Sequence, residues 1–206
     1  MLEDILGYVH ALTSVGLEAQ ATAYSNGEDG IIKYLALLPQ ECTHGGVVSR
    51  DDGPTDVDVM QRLHELEPGK TDREFIPRCW IRTHPCFKAL MSTTDLLQLS
   101  AFAWHDPNSF GIVLSPRLEG VKALCVHLTR FGLEMIKAYQ TEPLDAHESR
   151  RDRVSTRIFD STLKYYCQIP FVISFESCVV IDLRNGEDVV SQINAELARG
   201  NVSNQW

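Results

Sequence analysis

Trp80-Ile81-Arg82-Thr83-His84-Pro85, followed by Met91-Ser92-Thr93-Thr94-Asp95, is the stretch on which the reading of this chain turns. From His84 there are seven residues to Ser92 and two more to Asp95. A β-prone run from Phe75 to Thr83 leads into the stretch, and Ser92 has the chemistry of a helix N-cap, with Asp95 three residues on as the acidic half of a capping box. A strand-to-helix turn of this kind brings an imidazole, a hydroxyl and a carboxylate to one spot. Alternate strand residues point to one face, so positions 82 and 84 share a direction. A hydrolytic metal centre needs about three neutral or anionic ligands and an open position for water, together with a base and an oxyanion donor. His84 and Asp95 are the candidate ligands, Ser92 the candidate donor, and Glu18, on an early strand, the candidate base.

Outward from that stretch, the chain reads as alternating strands and helices. Leu2, Ile5, Leu6, Val9, Leu12 and Val15 recur at helical spacing over residues 2–15. Two strands are expected at Glu18 to Tyr24 and Gly30 to Leu38, joined by Ser25-Asn26-Gly27-Glu28-Asp29, whose Asn and Gly tolerate a hairpin turn. Residues 41–55, rich in Gly, Asp, Ser and Thr, read as an exposed loop, and Asp56 to Leu66 as a short helix with Val59, Leu63 and Leu66 on one side. Further strands are expected at Ser109 to Ser115 and Val121 to Leu128, with a turn or two of helix from Gly132 to Tyr139. In residues 140–164, arginines alternate with acids around few apolar residues, the pattern of a charged surface insertion. Phe171 to Phe175 and Cys178 to Ile181 are β-prone, and a last helix spans roughly Glu187 to Leu197. The expectation is a three-layer α/β domain over residues 1–206, with surface insertions near 41–72 and 140–164.

Composition narrows the function classes. The chain has 206 residues, enough for one full-sized core, and is 44% hydrophobic and 23% charged. Its net charge of −9 disfavours nucleic acid and anionic lipid as partners. No apolar run approaches the roughly 20 residues that cross a bilayer. Met1-Leu2-Glu3-Asp4 shows no basic region ahead of an apolar one, so no signal peptide is expected. Six scattered cysteines without a C-x-x-C pair read as reduced thiols, placing the protein in cytoplasm or nucleus.

Glu18…Arg82-x-His84-x7-Ser92-x2-Asp95 resembles the Glu…His-x-His-x7-Ser-x2-Asp motif of the JAMM (MPN-plus) metalloproteases, isopeptidases that cut ubiquitin-like modifiers from lysines. Met91 to Leu96, Gly111 to Arg117, Leu128 to Glu134 and Val179 to Arg184 are similar to the AMSH (STAM-binding) branch of deubiquitinases, and the likeness runs through nearly the whole chain. The resemblance implies the MPN fold, a cytidine-deaminase-like curved mixed β-sheet flanked by helices. It implies catalytic Glu18 and Ser92, metal-binding His84 and Asp95, ubiquitin or polyubiquitin as ligand, and another MPN-domain or adaptor protein as partner, through which endosomes could be reached.

The departures from the family are as specific as the matches. Arg82 stands where the first zinc histidine belongs, and a guanidinium has no lone pair to offer a metal. Leu97 replaces a histidine of the branch's second zinc, whose Cys-x5-His-x-His cluster is missing between 135 and 150, where His147 stands alone. Ala21 takes the place of a glycine. No cofactor is therefore expected, and the expected function is that of a pseudoenzyme, a ubiquitin-binding or scaffolding module. The alternative is an active zinc deubiquitinase with an altered metal site, using His84, Asp95 and a water or Cys86.

Each of these residues also has a plain structural reading. Arg82 and Asp95 suit a bidentate ion pair in the place of the metal. His84 suits a partly buried imidazole bonded to Asp95, Ser92 a helix cap, and Glu18 a solvated strand carboxylate. His10, His44, His64, His105 and His127 read as surface or core histidines.

Overall fold

The computed structural model describes residues 17–26, 31–43, 46–49, 53–84, 89–115, 123–141, 165–168 and 178–184. The helices expected at 2–15 and 187–197, most of the hairpin turn, the bulk of the 140–164 insertion, and Cys86, His10, His44 and His147 lie outside these residues.

The core is a mixed seven-stranded sheet with the strand order β8-β7-β6-β5-β1-β2-β9. The strands are β1 (Gln20–Asn26), β2 (Ile32–Leu37), β5 (Phe75–Thr83), β6 (Phe110–Leu114), β7 (Ala123–Leu128), β8 (Tyr166–Gln168) and β9 (Val179–Asp182). A separate two-stranded hairpin is formed by β3 (Gln40–Thr43) and β4 (Gly46–Ser49). The helices are α1 (Asp56–Leu66), α2 (Thr93–His105) and α3 (Arg130–Thr141). None of the described helices is long and apolar enough to cross a membrane. The α/β reading with a mixed sheet flanked by helices therefore holds.

β5 is central. It pairs antiparallel with β1 and parallel with β6, and α2 makes the crossover between the two parallel strands. The pleat sorts the side chains by face. Trp80, Val113, Leu124, Val126 and Leu128 project to one side, where Leu96, Leu99 and Ala103 of α2 and Ile136 of α3 pack on them. Tyr24, Tyr34 and Ala36, near the β2 end of the sheet, enclose Val59 and Leu63 of α1 together with Phe75. Ala23, Leu35, Leu37, Cys79, Ile112 and Cys125 form a second apolar layer on the opposite face.

Several expectations need correction. Residues 41–55 are not simply an exposed loop, because they contribute to the β3–β4 hairpin. Val47 and Val48 favour extended backbone strongly enough to outweigh the turn residues around them. α3 starts at Arg130 rather than Gly132 and runs for 12 residues. Its first turn is held by Thr129, whose Oγ1 accepts from the Gly132 N–H at 3.0 Å. β1 starts at Gln20, two residues after Glu18, although the extended course continues through Ala19, which bonds Thr83.

Candidate functional site

At the C-terminal end of β5 the pleat carries Arg82 and His84 to the face on which α2 lies, and the β1 register sets Gln20 opposite Arg82. Thr83, between them, points to the other side and ties the start of β1. The Ala19 N–H donates to Thr83 Oγ1 at 2.7 Å, and the Thr83 N–H donates to the Ala19 carbonyl at 2.9 Å. That pair of bonds holds the backbone of Glu18 against the end of β5. The His84 N–H donates to the Leu114 carbonyl at 2.7 Å and extends the β5–β6 pairing by one residue.

The other wall is the first turn of α2. Ser92 and Asp95 form a capping box: Asp95 Oδ2 accepts from the Ser92 N–H at 2.7 Å, and Ser92 Oγ accepts from the Asp95 N–H at 3.2 Å. The carboxylate thus sits at the helix N-terminus, where the partial positive charge of the helix favours it. Ser92 is accordingly the helix cap that its position in the sequence suggests.

Glu18, Arg82, His84 and Asp95 meet, all four buried. Arg82 is the hub. Its Nε donates to Glu18 Oε2 at 3.0 Å, and its Nη2 donates to the same oxygen. Its Nη1 lies 3.1 Å from Asp95 Oδ1 and donates to Gln98 Oε1 at 3.4 Å. His84 Nε2 is 3.4 Å from Asp95 Oδ2. Glu18 is therefore a buried, ion-paired carboxylate and not a solvated one. Burial pushes the Asp95 carboxyl up. The contacts from His84 and Ser92 and the charge of Arg82 outweigh burial and hold it below the usual carboxylate range.

This arrangement does not fit a zinc ion. The positive charge between the two carboxylates is already supplied by a guanidinium that offers no lone pair. Among the described residues, no three His, Cys, Asp or Glu side chains are grouped to hold a metal. Leu97 packs against the apolar cluster under α2.

Sequence reasoning did not single out Gln98. It lies one helical turn after Asp95, and i,i+3 spacing was the available signal, since the pair shares a side of the helix. Gln98 also lines a cleft of about 240 Å³, together with Gln20, Thr22, Ala36, Trp80 and Phe102. A second buried ion pair was likewise not foreseen. Arg78 Nη1 lies 3.2 Å from Asp106 Oδ2, and Arg78 Nε donates to Ser25 Oγ at 3.2 Å.

Of the remaining histidines, His64 Nε2 bonds Asp72 Oδ1 at 2.5 Å and His127 Nδ1 lies 3.0 Å from the Ser109 carbonyl, while His105 is exposed at the end of α2. No family model matches this chain, and no curated protein matches it either.

Proposed function

We infer that the chain is an MPN-type domain, similar to the AMSH branch, that has exchanged zinc-dependent isopeptidase chemistry for a ubiquitin-binding or scaffolding role. The observation that carries this reading is the Arg82 guanidinium between Glu18 and Asp95. Glu18, Arg82, His84 and Asp95 converge in space, and a fixed organic cation holds the carboxylates that zinc chemistry needs free. A domain of this kind works beside another MPN-domain or adaptor protein in cytoplasm or nucleus, and reaches endosomes through such partners.

The test has two arms. Metal analysis and polyubiquitin cleavage on the purified protein are expected to give no stoichiometric zinc and no cleavage, whereas titration with labelled mono- and di-ubiquitin gives saturable binding. Stoichiometric zinc that disappears in His84→Ala or Asp95→Ala would establish the opposite reading, an active zinc deubiquitinase with an altered site. Absence of ubiquitin binding at high micromolar concentration would leave only the scaffolding role.

A further inference from the structure

The oxygens around Arg82 enclose a cation that the chain itself supplies. Glu18 approaches from the start of β1 and Asp95 from the first turn of α2, and both side chains are at least nine-tenths buried. The acceptors facing the guanidinium are all oxygens, Glu18 Oε2, Asp95 Oδ1 and Gln98 Oε1. Oxygen acceptors spread around a flat group suit the planar fork of five N–H donors in a guanidinium. Zinc sites instead have lone pairs converging on one point.

The tethered group fills this receptor imperfectly. Two of its nitrogens, Nε and Nη2, serve one oxygen of Glu18. Asp95 Oδ1 lies at ion-pair distance from Nη1 yet accepts no hydrogen bond, although it is fully buried. The stem of Arg82, anchored in β5, fixes where the plane can lie. A guanidinium free to turn has no such restriction.

We propose that the space bounded by Glu18, Asp95 and Gln98 is a binding site for a planar guanidinium-type monocation. In the native chain Arg82 occupies it, and a free ligand of the same chemistry enters once the stem is removed. The proposal rests on the ion cluster alone and is independent of any role in ubiquitin binding.

Arg82→Ala removes the atoms that ethylguanidinium restores. Thermal unfolding of this variant is measured with ethylguanidinium and with N-ethylurea, a neutral molecule of nearly the same shape. Ethylguanidinium is expected to raise Tm saturably, by about 3–6 °C at ten times its dissociation constant. N-ethylurea is expected to give no shift, the unaltered protein no shift with either compound, and Asp95→Asn added to Arg82→Ala is expected to abolish the response. A rise of equal size with N-ethylurea, the same rise in the unaltered protein, or no response in Arg82→Ala overturns the proposal. Should Arg82→Ala not fold unaided, the readout becomes the yield of refolded protein with each compound, and equal yields overturn it. Ubiquitin titration of the unaltered protein does not enter this test, so the two readings fail separately.

Discussion

Arg82 Nη1 stands 3.1 Å from Asp95 Oδ1 across the seam between β5 and α2, with both side chains closed to solvent. A second pair repeats the arrangement at the far end of the helix, where Arg78 meets Asp106. Four residues of strand separate the arginines, about 13 Å, and eleven residues along the helix separate the acids, about 16 Å. The two spans are similar, so an antiparallel α2 is pinned to β5 near each end.

Breaking the first pin from the cation side leaves two buried carboxylates without their counter-charge. Arg82→Ala is expected to lower stability by about 3–5 kcal/mol, read from the denaturant midpoint. Neutralising the whole cluster with Arg82→Met, Glu18→Gln and Asp95→Asn together is expected to recover more than half of that loss, because no unpaired charge remains buried. A triple variant as unstable as Arg82→Ala would show that packing of the guanidinium stem dominates instead.

Acid titration reads the same cluster from Asp95. Its carboxyl is held below the ordinary value of 3.8, so on acidification the unfolded chain takes up this proton before the folded one does. The stabilisation is complete above pH 3.8 and is lost as pH falls through the lower folded value. Over about pH 2.5–6, Tm of the unaltered protein is expected to fall more steeply at the acid end than that of Asp95→Asn. Parallel curves would remove Asp95 from the acid response.

The elements legible in the sequence are those with redundant local signals. β5 and α1 have the bounds their patterns imply: β5 is a nine-residue extended run, and α1 carries both a Thr55 cap and the Asp58 half of a capping box. The β3–β4 hairpin was hidden because Gly, Asp and Ser around Val47 and Val48 look like a loop until the strands pair. At the site, strand alternation and the helix cap brought Arg82, His84 and Asp95 together from spacing alone. Glu18 was legible only as a carboxylate on an early strand and a candidate base, not as the partner of Arg82, which is far away in sequence. Gln98 and the Arg78–Asp106 pair depend on how α2 lies on the sheet, which no local pattern encodes.

Gly132 tests that tertiary placement. In an isolated helix alanine is favoured over glycine by roughly 1 kcal/mol. Here a Cβ at position 132 would stand 2.1 Å from the Tyr165 carbonyl oxygen. That same oxygen accepts from the Thr129 N–H at 2.9 Å and from Thr129 Oγ1 at 3.1 Å, so it is not free to retreat. Gly132→Ala is therefore expected to destabilise by about 1–3 kcal/mol or more, against the helix propensity. An unchanged or raised denaturation midpoint would contradict the close approach of the Tyr165 backbone to α3.

Thiol chemistry checks the layer on the opposite face of the sheet. Cys79 and Cys125 are buried there, and Cys167 is exposed on the edge strand β8. Burial pushes the Cys125 thiol up to about 11, and burial with the nearby Cys125 pushes Cys79 up as well. The thiolate is the reactive form, so at about pH 8 both are suppressed by protonation in addition to being shielded. Brief treatment of the native protein with iodoacetamide, followed by peptide mapping, is expected to label Cys167 and to leave Cys79 and Cys125 unmodified. Full unfolding in denaturant should equalise the three. Labelling of Cys79 before Cys167 in the native state would mean that this layer opens to solvent.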